Sequence, residues 1–208
     1  LDTLSSNEVI GYLEGSGDGI PDLLLSLGYQ VKRLKKYSDI EECNSVIVGI
    51  RALNILSNAD DWMGYLLEYC AQGHNLIVQY QVNTHLNSLK IGPYPITIGT
   101  DRITLESSLC TWKIRELGML HAPFEVLNEL PKAKWVQEIG LYFPSAADDR
   151  YTRLMSIKNS KETPLDTGLL YTKYGKGNYY FTSLSLWRQL AELQSFSTKL
   201  LVNMLEYR

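Results

Sequence analysis

Short apolar runs that alternate with helical segments constrain the fold of this chain most strongly. Val9–Leu13, Ser45–Ile50 and Leu76–Val78 are almost entirely apolar, which is typical of strands covered by helices on both faces. Between them, Ile20–Leu27 and Asp60–Gln72 carry apolar side chains at helical spacing. The predicted buried stripe of the second helix consists of Trp62, Tyr65, Leu66, Tyr69 and Cys70. Strand, helix and strand at this spacing predict right-handed parallel crossovers. The first part of the chain therefore predicts a doubly wound, mostly parallel α/β sheet.

The middle of the chain has a different pattern. Tyr29–Leu34 is still predicted to be a strand of the sheet. From about residue 83 to residue 144, however, the apolar residues no longer recur at helical spacing. Within that stretch Ile96–Ile98 and Arg102–Leu105 predict a hairpin, and Trp135–Ile139 predicts a further strand. We interpret residues 83–144 as an irregular, β-rich insertion on a single domain that spans residues 1–208.

Regular structure returns near the end of the chain. Leu169–Tyr174 and Tyr179–Leu184 flank a Gly-Lys-Gly turn and predict an antiparallel hairpin. A last helix is predicted from about Ala191 to Tyr207, with Leu193, Leu200, Leu201 and Met204 on its buried stripe.

Composition excludes several classes of function. The net charge is −3, and the only basic run, Lys32–Lys36, is too short for a nucleic-acid face. No stretch approaches the 18 apolar residues of a membrane span. Three scattered cysteines (Cys43, Cys70, Cys110) and three unpaired histidines predict neither a disulfide framework nor a metal site, and no cofactor motif is complete. The chain begins at Leu1 rather than Met, and we expect it to be part of a longer polypeptide.

Polar side chains follow the predicted strands, where open parallel sheets bind their ligands. A glycine-rich turn, residues 15–19, opens the first helix and contains one acid. The candidate ligand-binding residues are Asp18, Arg51, Tyr80, Gln81, Glu138 and Arg188. This mixture of acids, cations, an amide and an aromatic suits a carbohydrate or another polar small molecule. The same residue types are found at ordinary strand ends where surface side chains form salt bridges, and the sequence is compatible with both interpretations.

Several motifs in order resemble a known family. They are Gly15-Ser16-Gly17-Asp18, Val48-Gly49-Ile50-Arg51-Ala52-Leu53-Asn54, Gly73-His74-Asn75-Leu76-Ile77-Val78-Gln79-Tyr80, Ile91-Gly92-Pro93-Tyr94-Pro95, Gly140-Leu141-Tyr142-Phe143-Pro144 and Tyr174-Gly175-Lys176-Gly177-Asn178-Tyr179. Together they resemble the C-terminal domain of bacterial PIG-L/LmbE-type N-acetylglucosaminyl deacetylases, found chiefly in Bacteroidetes. The resemblance implies a flavodoxin-like fold of the class I glutamine amidotransferase and ThuA type. It also implies an N-terminal deacetylase domain in the same polypeptide as partner, and export to the bacterial envelope.

The chemistry of these relatives does not transfer to this chain. The zinc-binding His-Pro-Asp-Asp stretch of the deacetylases is absent. An amidotransferase needs a nucleophilic Cys after the fourth strand, where this chain has Gln79-Tyr80-Gln81, and a late-strand His, which is missing near Ser183–Ser185. We therefore expect no catalytic residues and a non-catalytic accessory domain that binds carbohydrate or docks to its neighbour. A ThuA-like enzyme acting on a sugar derivative through Asp18, Glu138 or Tyr80 remains one alternative, and a purely structural interaction domain remains another.

Overall fold

The computed structural model describes residues 7–84, 90–103, 110–113, 141–157, 163–191 and 195–207. Its strands and helices follow one another in this order: β1 (Val9–Leu13), α1 (Ile20–Ser26), β2 (Gln30–Arg33), a 3-10 helix (Tyr37–Glu42), β3 (Ser45–Val48), α2 (Ala52–Ile55), α3 (Ala59–Ala71), β4 (Asn75–Gln79), β5 (Ile96–Ile103), β6 (Cys110–Trp112), β7 (Leu141–Ala147), β8 (Thr152–Arg153), β9 (Met155–Ile157), β10 (Leu169–Tyr174), β11 (Gly177–Thr182), α4 (Leu186–Ala191) and α5 (Ser195–Glu206).

A seven-stranded sheet in the order β2-β1-β3-β4-β11-β10-β8 forms the centre of the molecule. The first five of these strands are parallel, and β10 and β8 continue the sheet with antiparallel pairings. β5 pairs with β7, and β6 with β9, in two small antiparallel sheets. The doubly wound, mostly parallel α/β fold predicted from the sequence is confirmed, as is the C-terminal hairpin followed by a helix.

Apolar side chains cover both faces of the sheet. Since successive strand residues point to opposite faces, Tyr12, Ile47 and Ile77 pack with α1, α4 and α5, whereas Val48 and Val78 pack with α3 and the 3-10 helix. The central strands β3 and β4 are buried at every position. This two-sided burial explains why those strands are nearly uninterrupted apolar runs in the sequence.

Three predictions about individual elements are wrong. Residues 96–103 form one continuous strand instead of the predicted hairpin. This strand pairs with β7, and its register shifts between Ile98 and Arg102, around Gly99. Tyr65, predicted on the buried stripe of α3, is 50% exposed, because its ring stacks on Tyr37 at the start of the 3-10 helix instead of entering the core between α3 and the sheet. The sequence predicts one C-terminal helix, whereas the described residues contain two, α4 (Leu186–Ala191) and α5 (Ser195–Glu206).

Other predictions fall outside the described residues. These are the strand Trp135–Ile139, Leu105 of the expected hairpin, and the buried position of Leu193. Leu200, Leu201 and Met204 are buried as predicted. No helix within the described ranges is both long and apolar enough to cross a membrane.

Candidate functional site

The loops that follow β1, β3 and β4 meet at the carboxyl edge of the sheet. In the strand order observed, the connections change direction between β1 and β3, which is where flavodoxin-like folds place their ligand. At that point the Ser16 N–H donates to Ile50 O at 2.8 Å, so main chain closes the space between β1 and β3. A second bond, from the Arg51 N–H to Tyr80 O at 2.8 Å, joins the segments that follow β3 and β4.

Asp18 lies in the loop after β1 and is already hydrogen-bonded through both carboxylate oxygens. Oδ1 accepts from the Ile20 N–H at 3.0 Å, near the start of α1, and Oδ2 accepts from the Tyr12 hydroxyl at 2.5 Å. Burial, and then the Asp18 charge, raise the pKa of Tyr12 far above its ordinary value. Tyr12 is therefore a permanent donor, and Asp18 fixes the start of α1 to the end of β1.

Arg51, in the turn after β3, is the one non-glycine among the described residues with positive φ, at 56°. The left-handed conformation costs a residue with a Cβ about 1–2 kcal/mol, and such strain concentrates at functional sites. The Arg51 side chain is exposed, so its cation is presented to solvent at the edge where ligands bind.

Gln81 lies at the same edge, but its side chain is part of the scaffold. It is fully buried; its Oε1 accepts from the Leu53 N–H at 3.0 Å, and its Nε2 donates to Gly49 O and Gln79 O at 3.2 and 2.8 Å. The amide thus ties the turn after β3 to the end of β4, and both polar atoms are occupied by internal bonds.

Tyr80 occupies the position after β4 where an amidotransferase carries its nucleophile. Its ring lies 5.9 Å from that of Trp187, and only 9% of the residue is exposed. Burial raises the pKa of the Tyr80 phenol, while the charges of Arg102 and Arg51 lower it by a smaller amount. The phenol is therefore protonated at neutral pH and is a hydrogen-bond donor rather than a nucleophile.

Buried polar atoms without partners lie beside Tyr80. Gln79, the last residue of β4, is 0% exposed, and neither of its amide atoms has a hydrogen-bond partner. Ser183 follows Thr182, the register partner of Gln79, and its hydroxyl is also buried and unpartnered. In α4, Nη1 of the half-buried Arg188 has no partner either. Because unpartnered buried polar groups are rare and costly, Gln79 and Ser183, at the ends of the neighbouring strands β4 and β11, mark this edge as a candidate binding site.

The sequence predicted some of the residues at this edge. The structure places Asp18, Arg51, Tyr80 and Gln81 there, whereas Glu138 lies outside the described residues. The sequence analysis did not include Gln79 and Ser183 among the candidate residues, although a Gln directly after the run Leu76–Val78 was a visible signal. Arg102 was also missed; its Nε donates to the Tyr142 hydroxyl at 3.2 Å, and only the pairing of β5 with β7 brings them together.

The three thiols lack the features of a catalytic nucleophile. Cys43 precedes β3, at the amino edge of the sheet, and its Sγ contacts Asp39 O at 3.4 Å. Burial raises the pKa of Cys43 and Cys110 to about 11 and that of Cys70 to about 12. None of the three is activated as a thiolate. The described residues hold no cluster of three or more metal-ligating side chains.

Comparison with known proteins supports the fold. No family model and no curated protein matches the sequence. Among solved structures, a cytoplasmic protein from Salmonella typhimurium, STM3548, aligns with a TM-score of 0.57 and 14% identity over 96% of this chain and 98% of its own. The structure of PurLQS from Thermotoga maritima aligns with a TM-score of 0.60 and 12% identity over 97% and 99%.

A third structure, a cold-adapted β-galactosidase from Rahnella sp. R3, aligns with a TM-score of 0.51 and 10% identity over 96% of this chain but 31% of its own. At these identities the likeness concerns the fold alone. Fold and topology together define the class: this chain is an α/β domain of the flavodoxin-like, class I glutamine amidotransferase-like kind.

Proposed function

We propose that this chain is a non-catalytic accessory domain of a PIG-L/LmbE-like deacetylase and that it binds carbohydrate at the carboxyl edge of its sheet. The observation that carries the proposal is the Gln79 amide, which is fully buried with both polar atoms unpartnered. One acceptor and an NH₂ donor match a pair of sugar hydroxyls or an acetamido group. The partner domain comes from the sequence resemblance.

The surrounding groups support binding rather than acyl transfer. The residue after β4 is a protonated phenol, and the amide that follows it is bonded internally. Ser183 and Arg188 add a hydroxyl and a cation with free hydrogen-bonding capacity. A site that combines hydrogen-bond donors and acceptors in this way suits polyhydroxy ligands.

A titration followed by NMR tests the binding. N-acetylglucosamine and its β-1,4-linked disaccharide, added to ¹⁵N-labelled protein, are expected to shift the Gln79 side-chain NH₂ signals saturably. Gln79→Met should abolish the shift elsewhere at the edge and stabilise the unliganded protein by about 1–2 kcal/mol, because an unsatisfied buried amide is removed. Gln30→Met, at an exposed position on β2, is the matched control and should change neither property.

Two results would contradict the carbohydrate site. One is the absence of saturable shifts with either sugar. The other is unchanged binding in Gln79→Met, which would leave the amide as a partner for buried water only.

The role as an accessory domain has its own test. Addition of this chain to the deacetylase domain, as separate proteins or fused, should change the KM for a glycan substrate or the thermal stability of the deacetylase. Identical rate, substrate range and stability with and without the chain would refute this role.

A second candidate, a purely structural interaction domain, is favoured by one observation. The crevice between β1 and β3 is closed by the contact of Ser16 with Ile50, and the segments after β3 and β4 are joined by the contact of Arg51 with Tyr80. Under this reading Gln79→Met leaves the effect on the deacetylase domain intact, whereas changes on the contact surface remove it.

A further inference from the structure

A second concave site lies on the opposite side of the molecule from the α1 and α5 helices. An open groove of about 310 Å³ runs between the 3-10 helix and α3, which pack against each other on one face of the sheet. Its chemically distinctive lining residues are three tyrosines, two glutamates and one histidine: Tyr37, Tyr65, Tyr69, Glu41, Glu68 and His74. None of them belongs to the edge described above.

Aromatic rings form the apolar part of this groove. Tyr37 and Tyr65 stack with their centroids 4.5 Å apart and their planes at 21°. Tyr69 and His74 stack at 4.1 Å with planes at 6°. Tyr65 is 50% exposed, one of the three large hydrophobic residues in the described part of the chain that are exposed to this extent.

Hydrogen bonds hold two of the rings in place. The Tyr37 hydroxyl accepts from Nδ2 of Asn58 at 2.8 Å, and the Tyr69 hydroxyl donates to the carbonyl of Cys43 at 2.9 Å. Because these polar ends are anchored to the protein, the groove is preorganised before any ligand arrives.

The charges in the groove have one sign. Glu41 and Glu68 are exposed, and no Lys or Arg is among the eight residues that line it, all of which are described. With Gln72 and His74 as the groups able to donate to it, an anionic ligand would meet two carboxylates and the electron-rich faces of tyrosine rings. An organic cation would gain from both, since ring faces attract ammonium and guanidinium groups.

We propose that this groove is a binding site for an organic cation, either an ammonium or a guanidinium group. The rings of Tyr37 and Tyr65 supply the aromatic wall, and Glu41 and Glu68 supply the counter-charge. The same chemistry is presented by a free amine and by the side chain of a basic residue in a peptide, and the two sources differ in what flanks the cation.

The test uses a charged probe and its neutral isostere. Choline and 3,3-dimethylbutan-1-ol have the same shape and differ in the positive charge. In a titration of the intact ¹⁵N-labelled chain, choline is expected to shift the amides of α3 and the 3-10 helix saturably, with the neutral alcohol at least tenfold weaker. Arginine amide and a lysine-containing tripeptide, compared with choline, identify the source of the cation.

Variants distinguish binding in the groove from a general effect of the protein's net charge. Tyr65→Leu should weaken choline binding about two- to fivefold, the range expected for one exposed cation–π contact, while the half-exposed position leaves the fold intact by circular dichroism. Glu68→Gln should weaken it as well. Asp61→Asn is the matched control, because Asp61 is an exposed acid of the same helix outside the groove.

Each remaining outcome overturns the proposal. Equal binding of the neutral alcohol would make the groove merely apolar. Equal losses in Asp61→Asn and Glu68→Gln would reduce the effect to net charge. Absence of saturable shifts with choline, arginine amide and the tripeptide alike would remove the site.

Discussion

At the scale of single residues, burial raises the pKa of the thiols and of several phenols in this chain. It raises the pKa of all three thiols and of the Tyr80 phenol, since a low-dielectric surrounding disfavours the charged form. These groups therefore stay protonated and neutral near pH 7, and the Tyr80 phenol stays a donor at the proposed site. The carboxyl edge owes its polarity to amide, hydroxyl and guanidinium groups, whose charge does not change near neutral pH.

The raised thiol pKa values predict slow alkylation. A shift from an ordinary 9.0 to about 11 at Cys43 and Cys110 lowers the thiolate fraction at pH 8 about a hundredfold. Iodoacetamide should label the native protein at least that much more slowly than the protein in urea, as followed by mass spectrometry. Labelling of native Cys43 at the rate of a free thiol would contradict the burial described here.

The same shift gives stability a pH dependence. A pKa that folding raises contributes stability that is fully present below the unfolded value, near 9, and that is lost as pH rises towards about 11. The free energy of unfolding in urea should therefore fall between pH 9 and pH 11. Cys43→Ala should make this fall shallower.

Backbone strain at Arg51 predicts a difference between two substitutions. Arg51→Gly removes the Cβ that makes φ = 56° costly, whereas Arg51→Ala keeps it. We expect the glycine variant to be more stable than the alanine variant by about 1 kcal/mol in urea unfolding. Both variants lose the Arg51 charge and should therefore weaken ligand binding to the same extent. Equal stabilities of the two variants would show that the backbone at position 51 is not strained.

At the scale of secondary-structure elements, two kinds of contact fix this fold. Buried amides tie strand ends to distant backbone, as Gln81 does after β4, and glycines let loops approach closely. A Cβ at Gly49 would lie 2.7 Å from the Tyr12 hydroxyl and 2.8 Å from Leu13 O. These contacts hold the carboxyl edge in one geometry.

Asn75 joins the start of β4 to the end of α5. Its Nδ2 lies 3.0, 2.8 and 2.8 Å from the carbonyls of Met204, Leu205 and Tyr207, and its Oδ1 accepts from Asn178 at 3.0 Å. Asn75→Ala leaves these buried groups unpaired and should destabilise the protein by about 2–4 kcal/mol in urea unfolding. Asn7→Ala, at an exposed position, should change stability by less than about 0.5 kcal/mol.

Two glycine-to-alanine substitutions should have opposite effects. Gly49→Ala forces a Cβ into the Tyr12 hydroxyl and the Leu13 carbonyl and should cost about 1–3 kcal/mol. Gly64→Ala, in α3, meets open space and should stabilise the helix by about 0.5–1 kcal/mol. Thermal unfolding measures both, and a stabilising Gly49→Ala would contradict the packing at the carboxyl edge.

At the scale of the whole molecule, one sheet carries cores on both of its faces. Leu66 of α3 packs on one side and Leu201 of α5 on the other. Because the same strands support both cores, loss of either should unfold the other.

Cooperativity between the two faces is the corresponding prediction. Leu66→Ala and Leu201→Ala should each lower the free energy of unfolding by about 2–5 kcal/mol. Both should shift a single urea transition without changing its slope. Separate transitions for tryptophan fluorescence and circular dichroism in either variant would show that the two faces unfold independently.

The sequence predicted the sheet because a strand buried on both faces must be apolar throughout. β1 and β10 begin and end at the residues expected from their apolar runs. It could not predict that residues 96–103 form one strand, since β7 lies about forty residues further along and gives no local signal. Likewise, the exposure of Tyr65 depends on which elements cover α3.

The candidate site divides in the same way. By itself the sequence determined that Asp18, Arg51, Tyr80 and Gln81 follow the carboxyl ends of parallel strands, because alternating strands and helices imply right-handed parallel crossovers. Only the tertiary structure decided that Gln81 is bonded internally while the Gln79 amide is left unpartnered. Hydrogen-bond partners come from distant segments of the chain, so their presence or absence is a property of the packed fold.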